Sequence, residues 1–201
     1  MQMSNLMKNV TIKAIGLAVL FVVGAAVPTQ AAVMSPDGHY YEIYQFVPGQ
    51  ANTWDAANAA ANASSYLGLP GHLATITSYD EDVLINGLVG QRGEVWAGGY
   101  QNPIDQAVAT AGWTWVNGEG TFGYSNWLGG EPNDAYGAGA EQYLGLGLGG
   151  AFGWNDEGAL GNITGYVVEY ERSAVPEGTA GLAGILAIVG LFAAHRRVKK
   201  T

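Results

Sequence analysis

The sequence predicts an α+β domain: two helices first, then short, mostly antiparallel strands interrupted by one long loop. Three observations carry that expectation. An Ala-rich segment with a leading tryptophan and a second segment opening Ser-x-x-Glu read as helices. Short aromatic and β-branched runs between glycine-rich turns read as strands. Asn117 to Ala140 is too long and too glycine-rich for a tight hairpin, and a loop of that length in a compact domain is usually functional or disordered.

Taken in order, His39 to Phe46 is a strand, because H-Y-Y-E-I-Y-Q-F is aromatic and β-branched. Thr53 to Ser65 is a helix with Thr53 as N-cap and Trp54, Ala57 and Ala61 on one face. Gly68 and Pro70-Gly71 end it. Gly71 to Thr77 is extended. Ser78 opens the second helix, Glu81 completes a capping box, and Leu84 and Leu88 mark its inner face. Strand signals return at Val95–Tyr100, Trp113–Val116, Glu141–Leu148, around Trp154 and at Gly165–Glu171. In the last, Tyr166, Val168 and Tyr170 alternate with Val167, Glu169 and Glu171, which predicts one buried face.

The 201 residues include 31 glycines, 6 tryptophans and no cysteine. A disulfide framework and a thiolate metal site are therefore excluded. Residues 1–32 read as a secretory signal: Lys8 and Lys13, an apolar run from Ala14 to Val27, and small residues for cleavage near Ala31. Residues 174–201 mirror it, with Val175-Pro176-Glu177-Gly178, an apolar run through Ala194 and a basic end from His195 to Lys200. The run from Gly178 to Ala194 gives roughly 26 Å of helix, slightly under a bilayer core, and the basic end would stay cytoplasmic. This end resembles the PEP-CTERM sorting signal, which an exosortase-type processing enzyme reads; Gly178 stands where the second proline belongs, and a plain single-pass anchor is the other reading. Residues 33–173 then form one exported domain. It holds 16 acidic residues against Arg92 and Arg172, a net charge of −14. Such a surface repels nucleic acid and favours divalent cations.

Oxygen-bearing side chains crowd the stretch Trp127 to Asp156. It reads W-L-G-G-E-P-N-D, a spacer containing Glu141, then G-W-N-D. Three carboxylates (Glu131, Glu141, Asp156) and two amides (Asn133, Asn155) stand without histidine or thiolate among them. Hard oxygen donors of this kind suit calcium, Ca2+, which takes about six to eight of them. A metal there would also hold the long loop, offsetting its entropy.

The order of T-W-D-A-A, G-H-L-A-T-I, V-W-A-G-G, W-T-W-V-N-G, E-P-N-x7-E-x12-W-N-D and Y-V-V-E-Y-E resembles the C-type lectin-like domain over about His39 to Glu171. The resemblance implies a calcium ion held by Glu131, Asn133, Glu141, Asn155 and Asp156, and a cis peptide before Pro132. It implies that a sugar places two neighbouring hydroxyls on the calcium. Each would donate to Glu131 or Glu141 and accept from the amide of Asn133 or Asn155. E-P-N goes with mannose-, glucose- or fucose-type sugars in that family. Because neighbours on a strand face opposite ways, Asn155 and Asp156 reach one ion only if the strand twists or a backbone carbonyl of Asp156 takes part.

Other readings stand beside these. The tryptophans are core or loop anchors, His72 in G-H-L is structural, and Ser78 is a cap. Glu131 and Glu141 as a glycosidase pair fit poorly beside the flanking asparagines, so no enzyme is expected. Two functions remain. The first is calcium-dependent binding of carbohydrate or exopolysaccharide by a protein of the cell envelope, anchored in the membrane through its C-terminal segment or released to the extracellular matrix. The second is a lectin-like domain for protein or matrix contacts with calcium only bracing the loop.

Overall fold

The computed structural model describes residues 26–104, 107–119, 122–158 and 162–172. The apolar core of the expected leader and the expected C-terminal span, Gly178 to Ala194, lie outside the described residues. Among the described residues, no helix is long and apolar enough to cross a membrane. The chain runs β1 (Val33–Met34), β2 (Tyr40–Gln45), α1 (Trp54–Asn62), β3 (Ser65–Tyr66), β4 (Leu69–Leu73), α2 (Tyr79–Val89), β5 (Val95–Gln101), β6 (Trp113–Trp115), β7 (Tyr143–Leu146), β8 (Trp154–Glu157) and β9 (Gly165–Tyr170). The expected α+β order is present. The two-residue strands β1 and β3, too short to leave a pattern in the sequence, are additions.

The strands form one sheet in the order β1-β2-β9-β5-β7-β8, with β4 also on β9, β3 on β4 and β6 on β5. Every pairing is antiparallel except β5 with β9. Residues 26–32 lie within the described region: Pro28 bridges Tyr44, and the Thr29 amide donates to the Ile43 carbonyl at 2.9 Å, alongside β2.

Both helices begin as their sequences dictate. The Thr53 hydroxyl accepts from the Ala56 amide, and Trp54, Ala57 and Ala61 are buried. The Ser78 hydroxyl accepts from the Glu81 amide, while Glu81 Oε2 takes the Thr77 amide at 2.8 Å. The inner face of α2 includes the expected Leu88, with Leu84 packed against the same core at its edge. Ile85, Leu88 and Val89 are buried with Glu81 and Asp82, whereas Leu84 is only partly covered. Asp82 lies on that face as well. It is turned inward to accept from Trp154 Nε1 at 3.0 Å, Tyr124 OH at 3.0 Å and Asn126 Nδ2 at 2.7 Å. Residues three and seven positions on, Ile85 and Val89, then share its side of the helix.

The last strand also departs from expectation: all six residues of β9 are buried, not one face of it. β9 lies in the interior of the sheet, and each face carries its own apolar layer. Val167 packs with Val95, Ala97, Ile85, Leu88 and Trp154. Tyr166, Val168 and Tyr170 pack with Trp54, Ala57, Ala61 and Trp96. The two-residue period of the strand sends alternate residues into two cores.

Gly98, on β5, is where the end of β4 crosses closest. A Cβ there would stand 2.6 Å from the Leu73 carbonyl oxygen and 3.0 Å from that of Ala74. Both contacts are backbone and cannot turn aside. Gly98→Ala should lower stability by about 1–3 kcal/mol, read by denaturant unfolding. A change within experimental error would mean that β4 and β5 are not so closely apposed.

Candidate functional site

β8 supplies the centre of the site. Trp154 is fully buried, wedged edge-on against Trp115, Phe122, Tyr124 and Trp127 at ring separations of 5.5–5.9 Å. Trp113 and Trp127 meet at 4.8 Å. The same indole donates to Asp82, and the Leu128 amide donates to the Trp154 carbonyl at 2.9 Å. These contacts hold the start of the long loop on β8 and set the direction of the next two residues.

Asn155 and Asp156 obey strand alternation. Asp156 points toward the loop and accepts the backbone amides of Asn133 at 2.9 Å and Asp134 at 2.8 Å. The Glu131–Pro132 bond is cis, as the resemblance implied. Glu131 lies against the Asp156 carboxyl and the Asn133 side chain. Glu141, 3% exposed, accepts from the Ala135 amide at 2.5 Å. Asp134 ties the spacer: its carboxylate accepts the amides of Gly139 at 3.1 Å and Glu141 at 3.0 Å.

Asn155 points to the other side. Its Nδ2 donates to Glu94 Oε1 at 3.0 Å, a residue that sequence reasoning missed. Nothing near Glu94 in the chain marks it, since it precedes β5 and is joined to Asn155 only through the fold. The one available signal was Gly145, directly across from Asn155 in the β7–β8 register. A glycine inside a strand often marks a close approach, and a Cβ at Gly145 would collide with the Glu94 carboxylate. The structure thus brings Glu131, Asn133 and Asp156 into direct association, sets Glu141 beside them, and holds Asn155 on Glu94.

Burial and neighbouring carboxylates raise the acids of this group. Burial, reinforced by the charges of Glu157, Glu141 and Glu131 and only partly opposed by the Asn155 amide, pushes Glu94 up to about 7. Burial and the charges of Asp156, Glu157 and Glu131 push Glu141 up to about 7 as well, despite the hydrogen bond from the Ala135 amide. Glu131 is raised by burial and by Asp156. Glu157 is raised by burial and by the same aspartate. Glu131 Oε2 and Glu94 Oε2 are buried and have no hydrogen-bond partner among the described residues. An oxygen-only donor set with orphaned carboxylate oxygens fits a hard divalent cation. The carboxylates are nonetheless spread out. Among the described residues, three metal-ligating atoms come within 4.8 Å of one another at two places, and both include His39 rather than the Glu131 group.

No family model matches the chain. It is 35% identical over 153 residues to Halomucin of Haloquadratum walsbyi; the match covers 70% of the chain, which spans only 2% of that relative's length. Among solved structures it resembles the EPNH mutant of CEL-I, a C-type lectin from Cucumaria echinata, at 25% identity and a TM-score of 0.53 over 72% of the chain and 96% of the other. It resembles a calcium-independent type II antifreeze protein equally, at 25% identity and a TM-score of 0.52 over 72% of the chain and 95% of the other. With two capped helices, a mixed sheet of short strands and a long loop held on β8, the chain has the C-type lectin-like fold.

Proposed function

We propose that this protein is an exported, calcium-dependent carbohydrate-binding module, with Glu131, Asn133, Glu141 and Asp156 as its metal and sugar site and Asn155 joining them only on release from Glu94. The observation that carries it is the association of Glu131, Asn133 and Asp156 beside Glu141, with a buried Glu131 oxygen left without a partner. Calcium at this position would neutralise that charge and offer open coordination to two hydroxyls. The residues of the chain do the rest. Glu131 and Glu141 accept from the hydroxyls, and the amide of Asn133 donates to one of them. Asp156 fixes the backbone of Asn133 and Asp134, so the E-P-N turn keeps its shape whether or not sugar is present. The proposed ligand is a mannose-, glucose- or fucose-type glycan or an exopolysaccharide. The proposed location is the cell envelope, reached through the signal at residues 1–32, with residues 174–201 as membrane anchor or exosortase-processed sorting signal. Binding through a few hydroxyls is weak, so display in many copies would be needed for avidity.

A second reading has a specific observation behind it. The Asn155 amide is engaged by Glu94, and a calcium-independent antifreeze protein has the same fold at the same identity. The domain would then serve protein or matrix contacts, with a cation only bracing the loop.

Thermal unfolding with calcium, with magnesium and with chelator separates a real site from a coincidence of acids. Calcium at a hundredfold excess over Kd should add about 2.7 kcal/mol, and Glu131→Gln/Asp156→Asn should abolish the gain. The pH dependence is fixed in sign. Glu94 and Glu141 rise from 4.5 to about 7 on folding. Between these values the folded protein binds more protons than the unfolded chain, so stability in chelator must fall as pH rises through that window. The calcium-dependent gain should therefore grow across the same window and level off above it. A gain independent of pH would remove these carboxylates from the site.

Asn133→Asp tests the sugar step apart from the metal, because it keeps an oxygen and removes the amide donor. Glycan-array binding should drop at least tenfold, about 1.4 kcal/mol, with the calcium-dependent rise in melting midpoint retained. Undiminished glycan binding in chelator would discard the proposed site, and binding to no glycan with an intact calcium response would favour the second reading.

A further inference from the structure

The residues just before β1 read in the sequence as the end of a removable leader, with cleavage expected near Ala31. The fold gives the same residues partners. Pro28 bridges Tyr44 in antiparallel register, and the Thr29 amide donates to the Ile43 carbonyl at 2.9 Å. The Thr29 hydroxyl donates to the same oxygen at 3.3 Å. Val33 and Met34 then pair with Tyr41 and Tyr40. Residues 28–34 therefore run along the outer side of β2, whose other side is taken by β9.

The local sequence suits an edge. The bond of the bridge comes from the residue after Pro28, so the missing N–H of the proline removes nothing from the ladder. Between the pairings Pro28–Tyr44 and Val33–Tyr41 the outer segment carries two more residues than β2 does. Such a bulge bends an edge and blunts it against pairing with another chain. Gln30 lies in this bulge, and its Oε1 accepts from Arg92 Nη2 at 3.1 Å. Nη1 of the same arginine donates to the last carbonyls of α2, Leu88 and Val89. The segment also touches both apolar layers: Ala26 packs against the one that holds Trp54, Tyr166 and Val168, and Val33 against the one that holds Trp154 and Val167.

A leader is discarded and has no need to match the domain it leaves. A cut near Ala31 would remove the donors on Ile43, the acceptor of Arg92 and the Ala26 contact together. It would also bare the end of β2 from Ile43 to Gln45, an edge open to pairing with another chain. Small residues that suit cleavage stand further up as well, at Gly24-Ala25-Ala26, where the apolar run ends.

We propose, on the reading that the chain is exported, that the leader ends at Ala25 or Ala26 and that the residues from Val27 onward are the edge segment of the exported domain. The step is hydrolysis of one peptide bond by a leader peptidase of the exporting membrane. One water is consumed, the leader departs with a new carboxylate, and the domain begins with a new amine. The group at Glu131 takes no part.

The test is the intact mass and N-terminal sequence of the full-length chain, expressed in an exporting bacterial host and recovered outside the cytoplasm. The expected N-terminus is Ala26 or Val27. An N-terminus from Pro28 to Val33 overturns the boundary and leaves export standing, as does a chain exported with residues 1–25 still attached. A chain found uncut in the cytoplasm overturns the export reading and the cut with it, so the two failures are told apart. Thr29→Pro gives a second readout on the processed protein, because it removes the amide that donates to Ile43. The melting midpoint should fall by about 2–8 °C. An unchanged midpoint in a protein that retains residues 27–32 would mean that the segment is carried without belonging to the fold, and would overturn the assignment. If the variant fails to fold, the N-terminus of the unaltered protein still decides.

Discussion

The burial of β9 on both faces is the constraint from which most of the structure follows. A strand lying between two apolar layers can place no polar group without a partner, yet β9 carries Glu169 at 1% exposure. The chain meets this by surrounding Glu169 with donors from three other segments: the His39 ring before β2, the Tyr41 hydroxyl on β2 and the Thr75 amide after β4. Tyr41 also reaches Glu81 at the start of α2 at 3.0 Å. One buried carboxylate thereby couples the sheet to the N-terminus of the second helix. Removing it would strand several donors at once, so its removal costs more than any one of these bonds is worth.

The long loop is held by two kinds of contact that do not depend on each other. At its start, the aromatic rings around Trp154 and the three donors on Asp82 fix it to β8 and α2. At its end, Asp156 gathers the amides after Pro132, and Asp134 closes the spacer onto Glu141. The proposed cation would act on the repulsion between carboxylates that these contacts leave behind. That division is consistent with one fold serving proteins described as lectins and as calcium-independent antifreeze proteins.

Much of this was legible in the sequence, and the failures have physical causes. Helix starts were readable because capping is a local chemistry: Thr53 and Ser78 act within three residues of themselves. The direction of Asn155 and Asp156 was readable because strand alternation is local too. The inner face of α2 was readable in Leu84 and Leu88, which both meet the core, but not in Asp82, because an aspartate turns inward only when distant donors such as Trp154 meet it. The burial of β9 was misread because alternation of Tyr and Val with Glu looks the same for a strand with one wet face and for one between two cores. Glu94 was invisible, since its partner lies far along the chain. His72 was read as structural, and its ring is held between the Leu73 carbonyl and Glu171.

The two titratable clusters answer the same electrostatic problem in different ways. The domain from 33 to 173 has 16 acids and two arginines. Arg92 is already spent on the C-terminal carbonyls of α2, donating to Leu88 at 2.5 Å and Val89 at 3.3 Å. Buried carboxylates must then find positive charge elsewhere. At Glu169 and Glu171 the chain supplies the His39 ring, which the Glu169 carboxylate raises to about 9, with the His72 ring also against Glu171. At Glu131, Glu141, Asp156 and Glu94 it supplies only amides, which orient charge without cancelling it. Protons can neutralise that second group only by pushing its acids up toward 7, as Glu94 and Glu141 are. Above that range the proposed cation would stand in for those protons at the Glu131 group.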